Sequence, residues 1–204
     1  MSRQHHAVVV MAASAGGIQA LQKVLCGLPR DFSLPIAIVQ HRTGNPPNLL
    51  ARVLGRHTAL TVKNAEDGER MSAGTVYLAP PREHLVIRPD ESLALIDGRK
   101  IRHLRSSANP LFASAAQVYG DGVIAVVLTG GDRDATDGVQ TVRQHGGIVL
   151  AQDEATSAIF GMPRSAIQTG AVHAILPLPE IAPELLRRAL IHAGRRDFAV
   201  RAVS

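Results

Sequence analysis

Continuous apolar runs constrain this chain more than any other feature. Residues 7–12 (AVVVMA), 34–40 (LPIAIVQ) and 123–129 (VIAVVLT) are apolar or small at nearly every position, not at every second one. A strand with one wetted face alternates, whereas a strand covered on both faces does not. Between the runs lie segments of helical spacing, such as Ile18, Leu21, Leu25 and Leu28 within residues 18–28. Buried strands separated by helices predict an α/β fold, a doubly wound and mostly parallel sheet with helices on both faces. Its core is aliphatic, because 46% of the chain is hydrophobic while aromatics reach only 3% and Trp is absent.

The rest of the chain extends this plan. Residues 46–55 read as a helix, opened by a Pro pair and closed on Gly. Residues 60–64, 75–80, 85–89 and 93–97 read as short strands separated by Asp-Gly, Ala-Gly, Pro-Pro and Asp-Gly signals. They predict a small antiparallel section in the middle of the chain. Asn109 is the expected N-cap of a helix running to about residue 119, with Pro110 at its first position. Beyond 123–129, helices are expected at 135–145, 163–169 and 181–192, and strands at 148–152 and 174–178. The 204 residues show no repeat or linker, so a single domain over residues 1–204 is expected.

Several function classes are disfavoured. No apolar run reaches the roughly 18 residues of a membrane span, and the polar start lacks the pattern of a secretory signal. A cytoplasmic location follows as the default, without membrane insertion. The single cysteine, Cys26, excludes an intramolecular disulfide and a multi-Cys zinc site, and it is expected to be a buried structural thiol. No H-x-x-x-H or H-E-x-x-H pattern occurs, so neither a metal nor a cofactor is expected. The net charge of +5 favours an acidic partner. The basic clusters at Arg99, Lys100, Arg102 and Arg105, and at Arg187, Arg188, Arg195 and Arg196, carry no interleaved aromatics. Nucleic acid is therefore not the expected partner.

Ligands in open α/β sheets bind at the carboxyl ends of strands. Three expected ends carry reactive groups: Ser14 after the first strand, His41 after the second, and Asp132 and Asp134 after the strand at 123–129. A serine hydroxyl needs a base within hydrogen-bond reach, and the base needs a carboxylate to orient it. Ser14 sits among small residues at an expected strand-to-helix turn, similar to a nucleophile elbow with Ala12 in place of the first Gly. The same turn could instead cap a helix or hold phosphate. His41 could be a structural histidine, Asp134 a helix cap, and Asp132 or Asp137 the orienting carboxylate. The chain order Ser, His, Asp differs from that of α/β-hydrolases. The remaining histidines, His84 among them, default to surface or packing roles.

Several motifs in order resemble the catalytic domain of CheB-type chemotaxis methylesterases. They are Ala13-Ser14-Ala15-Gly16-Gly17, Val39-Gln40-His41, Ala65-Glu66-Asp67-Gly68-Glu69, Tyr77-Leu78-Ala79-Pro80, Leu128-Thr129-Gly130 and Phe160-Gly161-Met162-Pro163. The resemblance implies a cytoplasmic serine hydrolase of signal transduction that demethylates glutamyl methyl esters on chemoreceptors, releasing methanol, and that also deamidates receptor glutamines. It implies a catalytic triad of Ser14 as nucleophile, His41 as general base and Asp134 as orienting carboxylate. Backbone N–H groups of Ala15 and Gly131 would form the oxyanion site. The implied partners are methylated chemoreceptor cytoplasmic helices and a separate response regulator.

Many relatives read N-D-G or D-D-G where this chain reads Arg133-Asp134-Ala135, and often Asp where it has Asn109. Ala135 removes the ease with which Gly adopts positive φ, and Arg133 could pair with Asp132 or Asp134. The first strand starts at Ala7, which leaves no room ahead of it for the receiver domain of well-known members, so a stand-alone member is expected. Two other readings stay open: a non-catalytic signalling module of the same fold, and a serine esterase acting on another methylated protein.

Overall fold

The computed structural model describes residues 7–41, 49–97 and 107–201, with side chains as far as residue 194 in the last helix. The elements in chain order are β1 (Val8–Ala13), α1 (Gly17–Cys26), β2 (Ile36–Gln40), α2 (Leu49–Gly55), β3 (Thr61–Asn64), β4 (Thr75–Leu78), β5 (Glu83–Ile87), β6 (Leu93–Asp97), α3 (Ala108–Tyr119), β7 (Val123–Val127), α4 (Thr136–Gln144), β8 (Ile148–Gln152), α5 (Gly161–Gln168), β9 (Ala174–Leu176) and α6 (Leu178–Arg201). Seven strands form one parallel sheet in the order β3-β4-β2-β1-β7-β8-β9, and β5 and β6 form a separate antiparallel pair.

The continuous apolar runs are the central strands, and each buries both faces. In β1, Val9, Met11 and Ala13 join a core layer with Leu21 and Leu25 of α1 and Ile181 and Leu185 of α6. Val8, Val10 and Ala12 join the opposite layer with Leu111 and Phe112 of α3, Val139 of α4 and Met162 of α5. Alternate side chains thus supply two different cores, which is why β1 carries no polar residue.

The antiparallel section is smaller than the turn signals suggest. β3 and β4 are parallel members of the main sheet, with Thr61 opposite Thr75 and Asn64 opposite Leu78. The intervening segment does not turn back on itself. It crosses to the hairpin, where the Gly68 N–H donates to the Leu93 carbonyl and the Leu93 N–H to that of Glu69. Asp-Gly and Ala-Gly pairs mark bends without specifying which strand comes next.

Three other expectations change. The N-cap of α3 is Ser107, not Asn109, and its hydroxyl accepts from the Asn109 N–H. Cys26 is exposed, because the buried face of α1 ends with Val24 and Leu25 and the next residue turns away from it. The last strand stops at Leu176, and α6 begins at Leu178. Residues 46–48 of the second expected helix, the cluster at Arg99, Lys100, Arg102 and Arg105, and His103 lie outside the described residues. No helix among the described residues is long and apolar enough to cross a membrane.

Helices α3 and α4 lie close together at Gly138. A Cβ there would fall 2.7 Å from the Cβ of Phe112 and 3.2 Å from Oδ1 of Asn109. Gly138→Ala is expected to lower stability by about 1–3 kcal/mol through overpacking, against a helix-propensity gain of about 1 kcal/mol. A reduced urea midpoint at unchanged m-value checks this.

Candidate active site

From β1 the chain runs through α1 to β2 on one side of the sheet, and from β7 through α4 to β8 on the other. The strand order therefore reverses between β1 and β7, where an open parallel sheet leaves a crevice at its carboxyl edge. Ala13 pairs with Gln40 and Ala12 with Val127, so the three strands end nearly flush. Ser14, His41 and the loop at 128–134 leave the sheet at this one place.

The Ser14 turn is tight and well tied. Its N–H donates to the Thr129 carbonyl and its carbonyl accepts from the Gly17 N–H, both at 2.9 Å. Gly16 has φ +76° and precedes α1, and a Cβ there would stand 2.6 Å from that of Ala158. Only glycine meets both demands easily. No side chain caps α1. Among the described residues the N–H groups of Ala15 and Gly131 make no hydrogen bond, whereas the Gly130 N–H is occupied by the Ile159 carbonyl. Ala15 and Gly131 are exposed at the crevice. Two free N–H groups beside a serine, one just before α1 and one in the loop after β7, attract developing negative charge.

Gln40 holds two of these peptides in place. It is buried, and its side-chain amide donates to the carbonyls of both Ser14 and His41 at 2.8 Å. In the sequence Gln40 stands only as part of the Val39-Gln40-His41 motif. A polar residue closing an otherwise apolar strand was the available signal.

Asp134 is buried, with a side chain only 2% exposed. Its Oδ1 accepts from the Ser107 hydroxyl at 2.6 Å and the Asn109 amide at 3.2 Å. Its Oδ2 accepts from the Ala108 N–H at 2.6 Å and lies 2.7 Å from His41 Nε2. Burial alone would favour the neutral acid, but these bonds hold its carboxyl below the usual range. Asp134 is therefore not a helix cap. The residue before α4 is Ala135, at φ +71°. Ser107, hidden next to residues outside the description, carried no motif, and His84 supports it from behind. Fully buried His84 accepts the Ser107 N–H on Nδ1 at 3.0 Å.

The second ring nitrogen of His41 is also engaged. Nδ1 lies 3.0 Å from Oδ2 of Asp132, whose Oδ1 accepts from the Asp134 N–H at 2.9 Å. The His41 bond and the Asp134 N–H hold the Asp132 carboxyl below its ordinary range, against the effect of its partial burial. Burial opposes the charge on His41, but the hydrogen bonds to Asp132 and Asp134 outweigh it and push its pKa up to about 9. The structure thus places Ser14 beside His41 on neighbouring strands without a hydrogen bond between their side chains. Asp137 is exposed in the first turn of α4 and takes no part. Arg133 is exposed and pairs with neither Asp132 nor Asp134. Among the described residues no group of three or more His, Cys, Asp or Glu side chains could hold a metal ion.

A family model described as CheB methylesterase matches residues 9–185. The protein-glutamate methylesterase FrzG of Myxococcus xanthus is 43% identical over 88% of this chain and 54% of its own length. A protein-glutamate methylesterase/protein-glutamine glutaminase of Anaeromyxobacter dehalogenans is 46% identical over 88% of this chain and 52% of its own. The chain thus spans about half the length of these two relatives. The crystal structure of the Thermotoga maritima CheB methylesterase catalytic domain superposes with a TM-score of 0.86 at 36% identity, covering 89% of this chain and 98% of that one.

Two outcomes follow from the site. Ser107→Ala removes both the α3 cap and a bond to a buried carboxylate, so a loss of about 2 kcal/mol or more is expected in thermal or urea unfolding. His41 has a raised folded pKa, so its stabilising contribution is complete below its unfolded value of 6.5 and is lost as pH rises through about 9. Unfolding free energy should fall over that window by about 3 kcal/mol at most. The His41→Gln variant should lack this slope.

Proposed function

The chain belongs to the CheB methylesterase family, and on that footing we propose that it hydrolyses glutamate methyl esters on chemoreceptors, releasing methanol. The observation that carries this reading is the meeting of Ser14, His41 and a sealed Asp134 at one switch point, with His41 Nε2 2.7 Å from the carboxylate.

In the proposed reaction the Ser14 Oγ attacks the ester carbonyl carbon as His41 accepts its proton. Negative charge gathers on the carbonyl oxygen, and the N–H groups of Ala15 and Gly131 receive it. The tetrahedral adduct collapses, and His41 returns the proton to the departing methoxide, giving methanol and an acyl-enzyme. Water then attacks the acyl carbon with His41 again taking a proton. The products are the free glutamate carboxylate and the regenerated serine. Throughout, Asp134 holds the imidazole in place and stabilises its cation. Glutamine deamidation follows the same route with ammonia as the leaving group. The net charge of +5 suits acidic receptor helices. The setting proposed is cytoplasmic, with a separate response regulator as a further partner and the described fold acting as one domain.

One observation favours a second reading, a signalling module that binds receptors without turnover: both nitrogens of His41 are held by carboxylates. Methanol release from a methylated chemoreceptor cytoplasmic fragment separates the two. Wild type is expected to release methanol. Ser14→Ala should lose at least about 10⁴-fold in kcat, and Asp134→Asn a comparable factor. Binding of the fragment with no release by wild type from pH 6 to 10 would establish the second reading instead.

A further inference from the structure

We propose that Asp132 is a positioning residue that holds the second ring nitrogen of His41 and competes with Ser14 for it, so that hydrolysis starts only when this contact opens. The inference rests on the serine-hydrolase reading above and assigns a regulator within that same site.

An imidazole has two nitrogens, and here three groups have a claim on them. Asp134 keeps Nε2 at 2.7 Å and Asp132 keeps Nδ1 at 3.0 Å. A carboxylate only accepts hydrogen bonds, so a ring bonded to two of them carries both protons. That form is an imidazolium and has no lone pair with which to take the Ser14 proton. The two carboxylates are not equivalent holders. Asp134 is 2% exposed and bound by Ser107, Ala108 and Asn109 as well as by His41. Asp132 is 46% exposed, so water can replace the histidine on its Oδ2. Asp132 is therefore the contact that opens; Nδ1 then gives its proton to water, and the lone pair left on it becomes available to the Ser14 hydroxyl.

The charges around His41 favour the closed state. The loop after β7 supplies both carboxylates, and its cation, Arg133, is exposed and pairs with neither. From β1 comes the neutral Ser14 and from β2 the neutral Gln40. From α3 come the Ser107 hydroxyl, the Ala108 N–H and the Asn109 amide, all directed at Asp134, with His84 of β5 behind Ser107. Arg42, next in the chain, lies outside the described residues. The raised pKa of His41, about 9, agrees with this arrangement.

A bond within the loop must be separated from the bond to His41. Oδ1 of Asp132 accepts the Asp134 N–H, which shapes the turn, while only Oδ2 reaches His41. Asp132→Asn keeps the turn acceptor and removes the charge, whereas Asp132→Ala removes both. The test measures kcat/KM for methanol release from the methylated receptor fragment between pH 6 and 10 in wild type and both variants. In parallel, the His41 ring is titrated by NMR and identified with His41→Gln. Removing one nearby opposite charge should move the acid limb and the His41 titration down by about one unit or more. It should raise kcat/KM at pH 7 about tenfold. A folded Asp132→Asn with both the limb and the titration unmoved overturns the proposal, as does a uniform fall in turnover with the limb in place. No methanol release from any of the three proteins at any pH, with the titration still moved, overturns the hydrolase reading beneath it, which is a separate failure.

Discussion

A carboxylate removed from water has to find its hydrogen bonds inside the protein, and Asp134 finds them on several elements at once. The first turn of α3 supplies the Ser107 hydroxyl, the Ala108 N–H and the Asn109 amide, and the end of β2 supplies His41. Asn109 also accepts the Gly138 N–H at 2.7 Å, so the same short stretch fixes the start of α4. One buried charge thus sets the loop after β7, the entry into α3 and the orientation of the histidine. The partial positive charge at the start of a helix makes this tolerable.

The sheet makes that arrangement possible by setting where its strands stop. β1 lies at the centre with β2 on one side and β7 on the other, all parallel. Each therefore ends at the same edge, and the residue just past each end turns out of the sheet while its backbone N–H still holds the neighbouring chain, Ser14 on the Thr129 carbonyl and His41 on that of Ala13. Ser14 and His41 are such residues. Rigidity comes from the buried strands, and reach comes from the single step past them. Gln40 joins the two steps by bonding both carbonyls.

Much of the fold was visible in local patterns. Unbroken apolar runs identified β1, β2 and β7 because burial on both faces leaves almost no polar positions, Gln40 at the end of β2 being the exception in these three strands. The mixed middle was less transparent. Turn residues close the hairpin between β5 and β6, where the chain reads Pro89-Asp90-Glu91-Ser92, and they equally mark the crossing segment between β3 and β4, which holds Asp67-Gly68 and Ala73-Gly74. Partner choice between strands is a long-range matter that a bend does not record. Ser107 and Asn109 are both good caps, and only the path of the chain into α3 makes Ser107 the one that caps it. Ala135 adopts φ +71°, a conformation that Gly reaches with more ease, and its methyl group lies in the core.

Residue identity and spacing alone offered Ser14, His41, Asp132 and Asp134 as candidates, because reactive groups after buried strands must emerge at one edge of a parallel sheet. Which carboxylate takes which nitrogen was beyond any pattern. Asp132 and Asp134 are two residues apart on one loop, yet one is nearly half exposed and the other sealed. That difference arises when α3 folds over the loop and covers Asp134 alone. Burial and hydrogen bonding are properties of packed neighbours distant in the chain, so only the tertiary structure assigns His41 its two carboxylates and leaves Ser14 without a bond to it.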